Sequence, residues 1–175
     1  MDNENDLKQT WKILERQAAY VERNLGAEAH WFFIQGEKAV EQQLYVPGVV
    51  SLLHGIEMSL RTVVSEVKQI PLDNTPTFSN SLLRQAHGLE VPVEDLALPS
   101  ERNFLSRLET NKPNVRIVQL RHDLSHGNTM AFIESVPGTE IRFFTPECLR
   151  EVADILVDIS DRWTESLSKF RLKGS

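Results

Sequence analysis

The sequence predicts an all-α fold, a bundle of four to five main helices with one small β-hairpin, and three observations carry that prediction. Apolar residues recur at alternating spacings of three and four over 7–25, 49–67 and 149–170, the stripe of an amphipathic helix. Helix stops and starts punctuate these stretches: Gly26, Pro47, Pro113 and Thr145-Pro146-Glu147. Only 130–144 changes to a strand-like period.

Taken in order, Leu7, Trp11, Leu14, Ala18, Val21 and Leu25 form the stripe of a first helix that Gly26 ends. A second helix is expected over 27–44, with Phe33, Gly36 and Val40 inward and Gly36 marking a close helix approach. Pro47 suits the first turn of a third helix. Its Val49, Leu52, Leu53, Ile56, Leu60, Val63, Val64 and Val67 make it the most apolar segment and the expected centre of the bundle. Glu57 sits on or beside that stripe, four residues from both Leu53 and Arg61, where a carboxylate needs a partner.

From 70 to 100 four prolines interrupt the pattern, which reads as an irregular insertion over the core with one short helix near 81–87. Ser100 is a candidate cap for a helix through Leu108. Pro113 and Asn114 lead into a helix over Val115, Ile117, Val118 and Leu120. Ile133 and Ser135, then Pro137-Gly138, then Ile141 and Phe143 suggest a hairpin within 130–144. Thr145-Pro146-Glu147 starts a long last helix with Leu149, Val152, Leu156, Ile159, Trp163, Leu167 and Phe170 on its stripe.

The 175 residues read as a single domain, 1–175, able to bury a core. No apolar run reaches membrane-spanning length. The acidic start, Met1-Asp2-Asn3-Glu4-Asn5-Asp6, lacks the pattern of a signal peptide. The single cysteine, Cys148, excludes an internal disulfide, so a cytoplasmic protein is expected. A net charge of −6 argues against broad electrostatic binding of nucleic acid, though not against a local basic site. Arg102, Arg107, Lys112, Arg116 and Arg121 make one stretch locally positive against Glu101 and Glu109; a solvated helix face explains them as well as an RNA-facing patch does.

The densest chemistry lies in Leu120-Arg121-His122-Asp123-Leu124-Ser125-His126-Gly127-Asn128, which holds two of the five histidines. Gly127 and Asn128 suit a helix C-terminus, so the cluster occupies the last turns of its helix. His122 and His126 share a helix face, and His122-Asp123-x-x-His126 imitates a zinc-protease string with a shorter carboxylate. Glu134 or Glu140 would have to supply its third ligand. His122-Asp123 also resembles the doublet of the HD-domain phosphohydrolases, which needs an upstream His (His54 or His87) and a downstream Asp (Asp154 or Asp158). Arg121 stands where that family has an apolar residue.

The string from Arg121 to Asn128 most resembles the R-x4-H motif of the HEPN superfamily, a helical-bundle family in which the motif lies late in the chain and Gly often follows it. The match covers about nine residues and is architectural elsewhere; the insertion and the hairpin have no counterpart in it. The resemblance implies metal-independent RNA cleavage by Arg121 and His126, with His122, Asp123, Ser125 and Asn128 in support and no cofactor. It also implies RNA or nucleotide as ligand, a homodimer that sets two motifs across one cleft, and a toxin or defence role with an antitoxin partner protein. Other members bind nucleotides or partners without cutting RNA, and that alternative stays open. The residues add two constraints. Arg121 shares the apolar face of Ile117 and Leu124, so it needs a partner: Glu57 or a phosphate. Arg121 and His126 lie about 140° apart around an ideal helix, so they do not share a face. A purely structural cluster is the remaining alternative, with His126 stabilised by the helix dipole, Asp123 and His126 a surface pair, and Glu57 and Arg121 an internal one.

Overall fold

The computed structural model describes residues 2–26, 28–110, 112–133 and 143–173, and among them every regular element is a helix. α1 (Asp2–Glu22), α2 (Ala29–Glu41) and α3 (Tyr45–Lys68) follow one another. α4 (Asn80–His87) and α5 (Phe104–Leu108) are short, α6 (Arg116–Ser125) carries the motif, and α7 (Arg150–Lys173) is the last.

α3 is the hub, as its composition requires. It packs along α2 and also meets α4, α6 and α7. Val49, Leu52, Leu53, Ile56, Leu60, Val63 and Val64 are all buried. The α2–α3 approach is close because Gly36 has no side chain. A Cβ there would stand 2.8 Å from Leu52 Cγ and 3.0 Å from the Leu52 backbone nitrogen. Gly48 returns the arrangement from α3: its Cβ would meet Val40 Cγ2 at 2.6 Å and the Gly36 carbonyl oxygen at 3.2 Å.

α7 buries Ala153, Leu156, Ile159, Trp163 and Leu167. Trp163 is large and needs a partner for its N–H; Nε1 donates to Ser59 Oγ on α3 at 3.0 Å. The turn before it, Pro146–Leu149, is a 3-10 helix rather than the first turn of α7.

The 70–100 segment is a cover over the core. Two 3-10 turns, Leu72–Asn74 and Val93–Leu96, flank α4, and Leu82, Leu83, Ala86, Val91, Val93 and Leu96 point inward. Ser79 caps α4 by accepting from the Leu82 N–H at 3.3 Å. Ser100 is not a cap: α5 begins only at Phe104, after Asn103 and with no side-chain cap. At the start of the 130–144 stretch, Thr129–Phe132 forms a 3-10 turn that precedes Ile133, the first residue of the expected hairpin strands. Phe132 and Phe144 bring the two ends of that segment together, with ring centroids 6.4 Å apart. The remainder of the expected hairpin, 134–142, lies outside the described residues.

α1 departs most from expectation. Its inner face is Tyr20, fully buried and stacked on Phe33 at 5.3 Å, with two arginines a turn to either side. Arg16 reaches Glu37 of α2, and Arg23 reaches Asp161 of α7, both at 2.8 Å. The apolar stripe from Leu7 to Val21 points the other way, into water, and only its last member, Leu25 beyond the helix end, is buried.

Candidate functional site at the end of α6

Two buried polar residues set the motif helix in place. Asn80 on α4 accepts from the Val115 N–H at 3.1 Å and donates to the carbonyls of Thr110 and Pro113. Glu101 accepts the Arg116 N–H at 3.0 and 3.1 Å through its two oxygens, and Arg107 Nη1 at 2.9 Å. A carboxylate on the first amides of a helix satisfies otherwise orphaned donors and complements the helix dipole. Ile117, Val118 and Leu120 then anchor α6 in the core. Neither Asn80 nor Glu101 was singled out from the sequence. Glu101 stood beside the apolar Phe104 and Leu108, and that proximity was its only signal.

At the far end of α6 the motif divides into an inner and an outer set. Arg121 reaches back to α3, where Nε donates to Glu57 Oε2 at 3.2 Å and Nη2 lies 3.2 Å from the same oxygen. Glu57 uses its other oxygen for the Phe78 N–H at 3.0 Å. The Arg121 side chain is 29% exposed, and among the described residues Nη1 has no partner. Asp123 also turns inward. Its Oδ1 accepts from Gln119 Nε2 and Asn128 Nδ2, both at 2.9 Å, while its carbonyl accepts the Asn128 N–H at 2.8 Å. Asp123 and Asn128 thereby fold the chain back at Gly127, whose φ is +69°; neither is bonded to a histidine.

The outer set is His122, Ser125 and His126, all exposed. The imidazole centroids of His122 and His126 are 4.3 Å apart and inclined at 53°. His126 ends the helix as its C-cap, with its N–H donated to the His122 carbonyl. Two adjacent, exposed imidazoles thus stand open at the helix C-terminus, a residue type suited to acid–base work.

Among the described residues, no group of three His, Cys, Asp or Glu side chains is placed to hold a metal ion. With Asp123 turned in and His122 turned out, the His122-Asp123 doublet gathers no ligand there from His54, His87, Asp154 or Asp158. Glu134 and Glu140 lie outside the described residues. Cys148 is half-buried, its sulfur 3.9 Å from Thr145 Oγ1. No helix is long and apolar enough to cross a membrane among the described residues.

A second polar cluster went unread in the sequence. Glu37 is buried between α1 and α2, where Arg16 Nη1 stands 2.8 Å from Oε1 and Oε2 has no hydrogen-bond partner. Burial pushes its carboxyl up to about 7, with Glu41 and Asp161 adding to the shift and Arg16 opposing it. The Tyr20 hydroxyl beside it is buried without a partner, and burial raises its pKa. The signal was available: Glu37 follows Phe33 by four residues and Ile34 by three, on the inward stripe of α2.

No protein-family model matches the chain, and neither a curated protein nor a solved structure matches it.

Proposed function

We propose that the chain is a HEPN-like, metal-independent endoribonuclease of the toxin or defence type, acting through Arg121 and His126. One observation carries this reading: Arg121 is held at one edge by Glu57 while its Nη1 remains unpartnered, on the helix end that presents the His122–His126 pair. A guanidinium so held is positioned rather than loose, and its remaining donors suit phosphoryl oxygens.

In the reaction a ribose 2′-hydroxyl attacks the adjacent phosphorus. One imidazole takes the hydroxyl proton, and a protonated imidazole gives a proton to the departing 5′-oxygen, leaving a 2′,3′-cyclic phosphate and a 5′-hydroxyl. Arg121 stabilises charge that builds on the non-bridging oxygens. His126 is the first choice for acid or base; His122, its ring neighbour, is the second. Two copies of the chain would complete a shared site, and an antitoxin protein would cover it.

Cleavage of RNA in excess chelator tests this, with wild type beside His126→Ala. The expected loss in the variant is roughly 10²–10⁴-fold. Equal rates in the two would remove His126 from the chemistry and the reading with it. A second reading has its own observation, since Glu57 neutralises Arg121. A HEPN-like module that binds nucleotide or a protein partner without cutting needs no free arginine charge. Binding of RNA or nucleotide by wild type without cleavage would favour it.

A further inference from the structure

The outward stripe of α1 is the largest unexplained feature of the molecule. Leu7, Trp11, Leu14 and Val21 are 56, 64, 50 and 61% exposed. They follow one helix line with Ala18, which is also exposed. A continuous apolar line exposed to water marks an interaction surface.

The length of α1 adds a second observation. Tyr20 stacks on Phe33 and Arg16 meets Glu37, so the two helices run antiparallel. α2 ends at Glu41, whose side chain meets Gln17 Nε2 of α1 at 3.4 Å. The first half of α1 therefore runs on past the end of α2. A helical overhang of about ten residues is marginal in water without a surface to lie on.

We propose that α1 is a self-association element: two copies of this chain pair through α1, antiparallel, each overhang lying on the anchored half of the other. The stripe residues follow the four-and-three spacing of a coiled-coil seam, with Leu7, Leu14 and Val21 at one core position and Trp11 and Ala18 at the other. In an antiparallel pair the two kinds of core position face each other, and like edges meet. Setting Trp11 against Leu14 of the second copy sets Leu7 against its small Ala18. The same register places Lys8 of each copy opposite Glu15 of the other, on the edge directly after the seam. The charge pattern thus selects this arrangement. A parallel pair would set Thr10 and Gln17 beside Glu15 and Glu22, with no such complement.

This surface is separate from the motif. α1 packs on α2 and α7, whereas α6 packs on α3 and the 129–132 turn. The proposal does not rest on the nuclease reading, and its test uses no RNA.

Sedimentation equilibrium of the full chain provides that test, with circular dichroism to check folding. Leu14→Glu, with unchanged helicity, is expected to lose the association step through α1 that wild type shows, while any pairing through the motif face is untouched. Lys8→Glu and Glu15→Lys, each folded, are expected to raise the dimer Kd roughly tenfold, since each replaces two attractions with two repulsions. The double swap Lys8→Glu/Glu15→Lys is expected to bring Kd back to the wild-type value. A monomeric wild type, or an association state that Leu14→Glu leaves unchanged, overturns the proposal. A double swap as weak as the single variants overturns it too, because the antiparallel register requires rescue.

Discussion

Arg121 and Glu57, 64 residues apart in the chain, meet at 3.2 Å where the motif helix crosses the central helix. The pair fixes α6 to α3 and at the same time orients the guanidinium. Glu57 also holds the Phe78 N–H, so one carboxylate ties three segments together.

Removing that carboxylate should therefore cost more than an ion pair. Glu57→Ala leaves the Phe78 amide without its acceptor and Arg121 without its counter-charge, a loss of about 2–4 kcal/mol given that Arg121 is partly solvated. Glu57→Gln keeps an acceptor for Phe78 and should cost about half as much. Urea unfolding of the two variants checks the order. Equal losses would mean that the amide contact contributes nothing separable from the charge.

Asp123 is expected to behave as a structural residue. It joins Gln119 to Asn128 at the point where the chain leaves α6. Asp123→Ala should destabilise by about 1–3 kcal/mol, and Asp123→Asn, which keeps the accepting oxygen, by clearly less. Amide exchange over 124–129 should speed up most in the alanine variant. Unchanged exchange there would show that Asp123 does not hold the turn.

The sequence disclosed these contacts unevenly, for physical reasons. Glu57 was visible as a residue in need of a partner because it interrupts the most apolar stripe of the chain. Gly36 was visible because a glycine in mid-helix invites a packing explanation, and the α2–α3 contact supplies it. The destination of the α1 stripe was not visible. Periodicity reports that one helix face is apolar, and it is blind to whether that face meets the chain's own core or something else. Here the inner face is Arg16, Tyr20 and Arg23, itself spaced at four and three, and ion pairs to Glu37 and Asp161 carry it. The inward turn of Asp123 was equally hidden, since its partner Asn128 lies beyond the helix end where helical spacing no longer applies.

Gly36 yields a packing prediction. The Cβ of Gly36→Ala would overlap Leu52 Cγ at 2.8 Å, with the Leu52 backbone nitrogen only 3.0 Å away, so the helices must separate or Leu52 must leave its place. The expected loss is about 1–3 kcal/mol despite the better helix propensity of alanine. Pairing it with Leu52→Ala, which empties the opposing space, should cost less than the sum of the two single changes. Strict additivity in thermal or urea unfolding would place the strain elsewhere.

The buried Glu37 makes stability depend on pH in a direction that can be worked out. Its folded pKa is raised from 4.5 to about 7, with burial as the largest cause. Between those two values the folded chain keeps the proton that the unfolded chain has lost. Stability from this group is therefore greatest in acid below the unfolded value, falls as pH rises toward about 7, and is level above that. The loss is on the order of a few kcal/mol at most, and Arg16 opposes it by favouring the ionised form. Glu37→Gln cannot ionise, so it should remove this part of the slope. Urea midpoints at about pH 5 and about pH 8, one on each flank of the window, read the effect directly. Wild type should lose more stability than the variant between the two conditions. Parallel losses would mean that Glu37 ionises in the folded chain as easily as in the unfolded one, with Arg16 fully offsetting the cost of burying the charge.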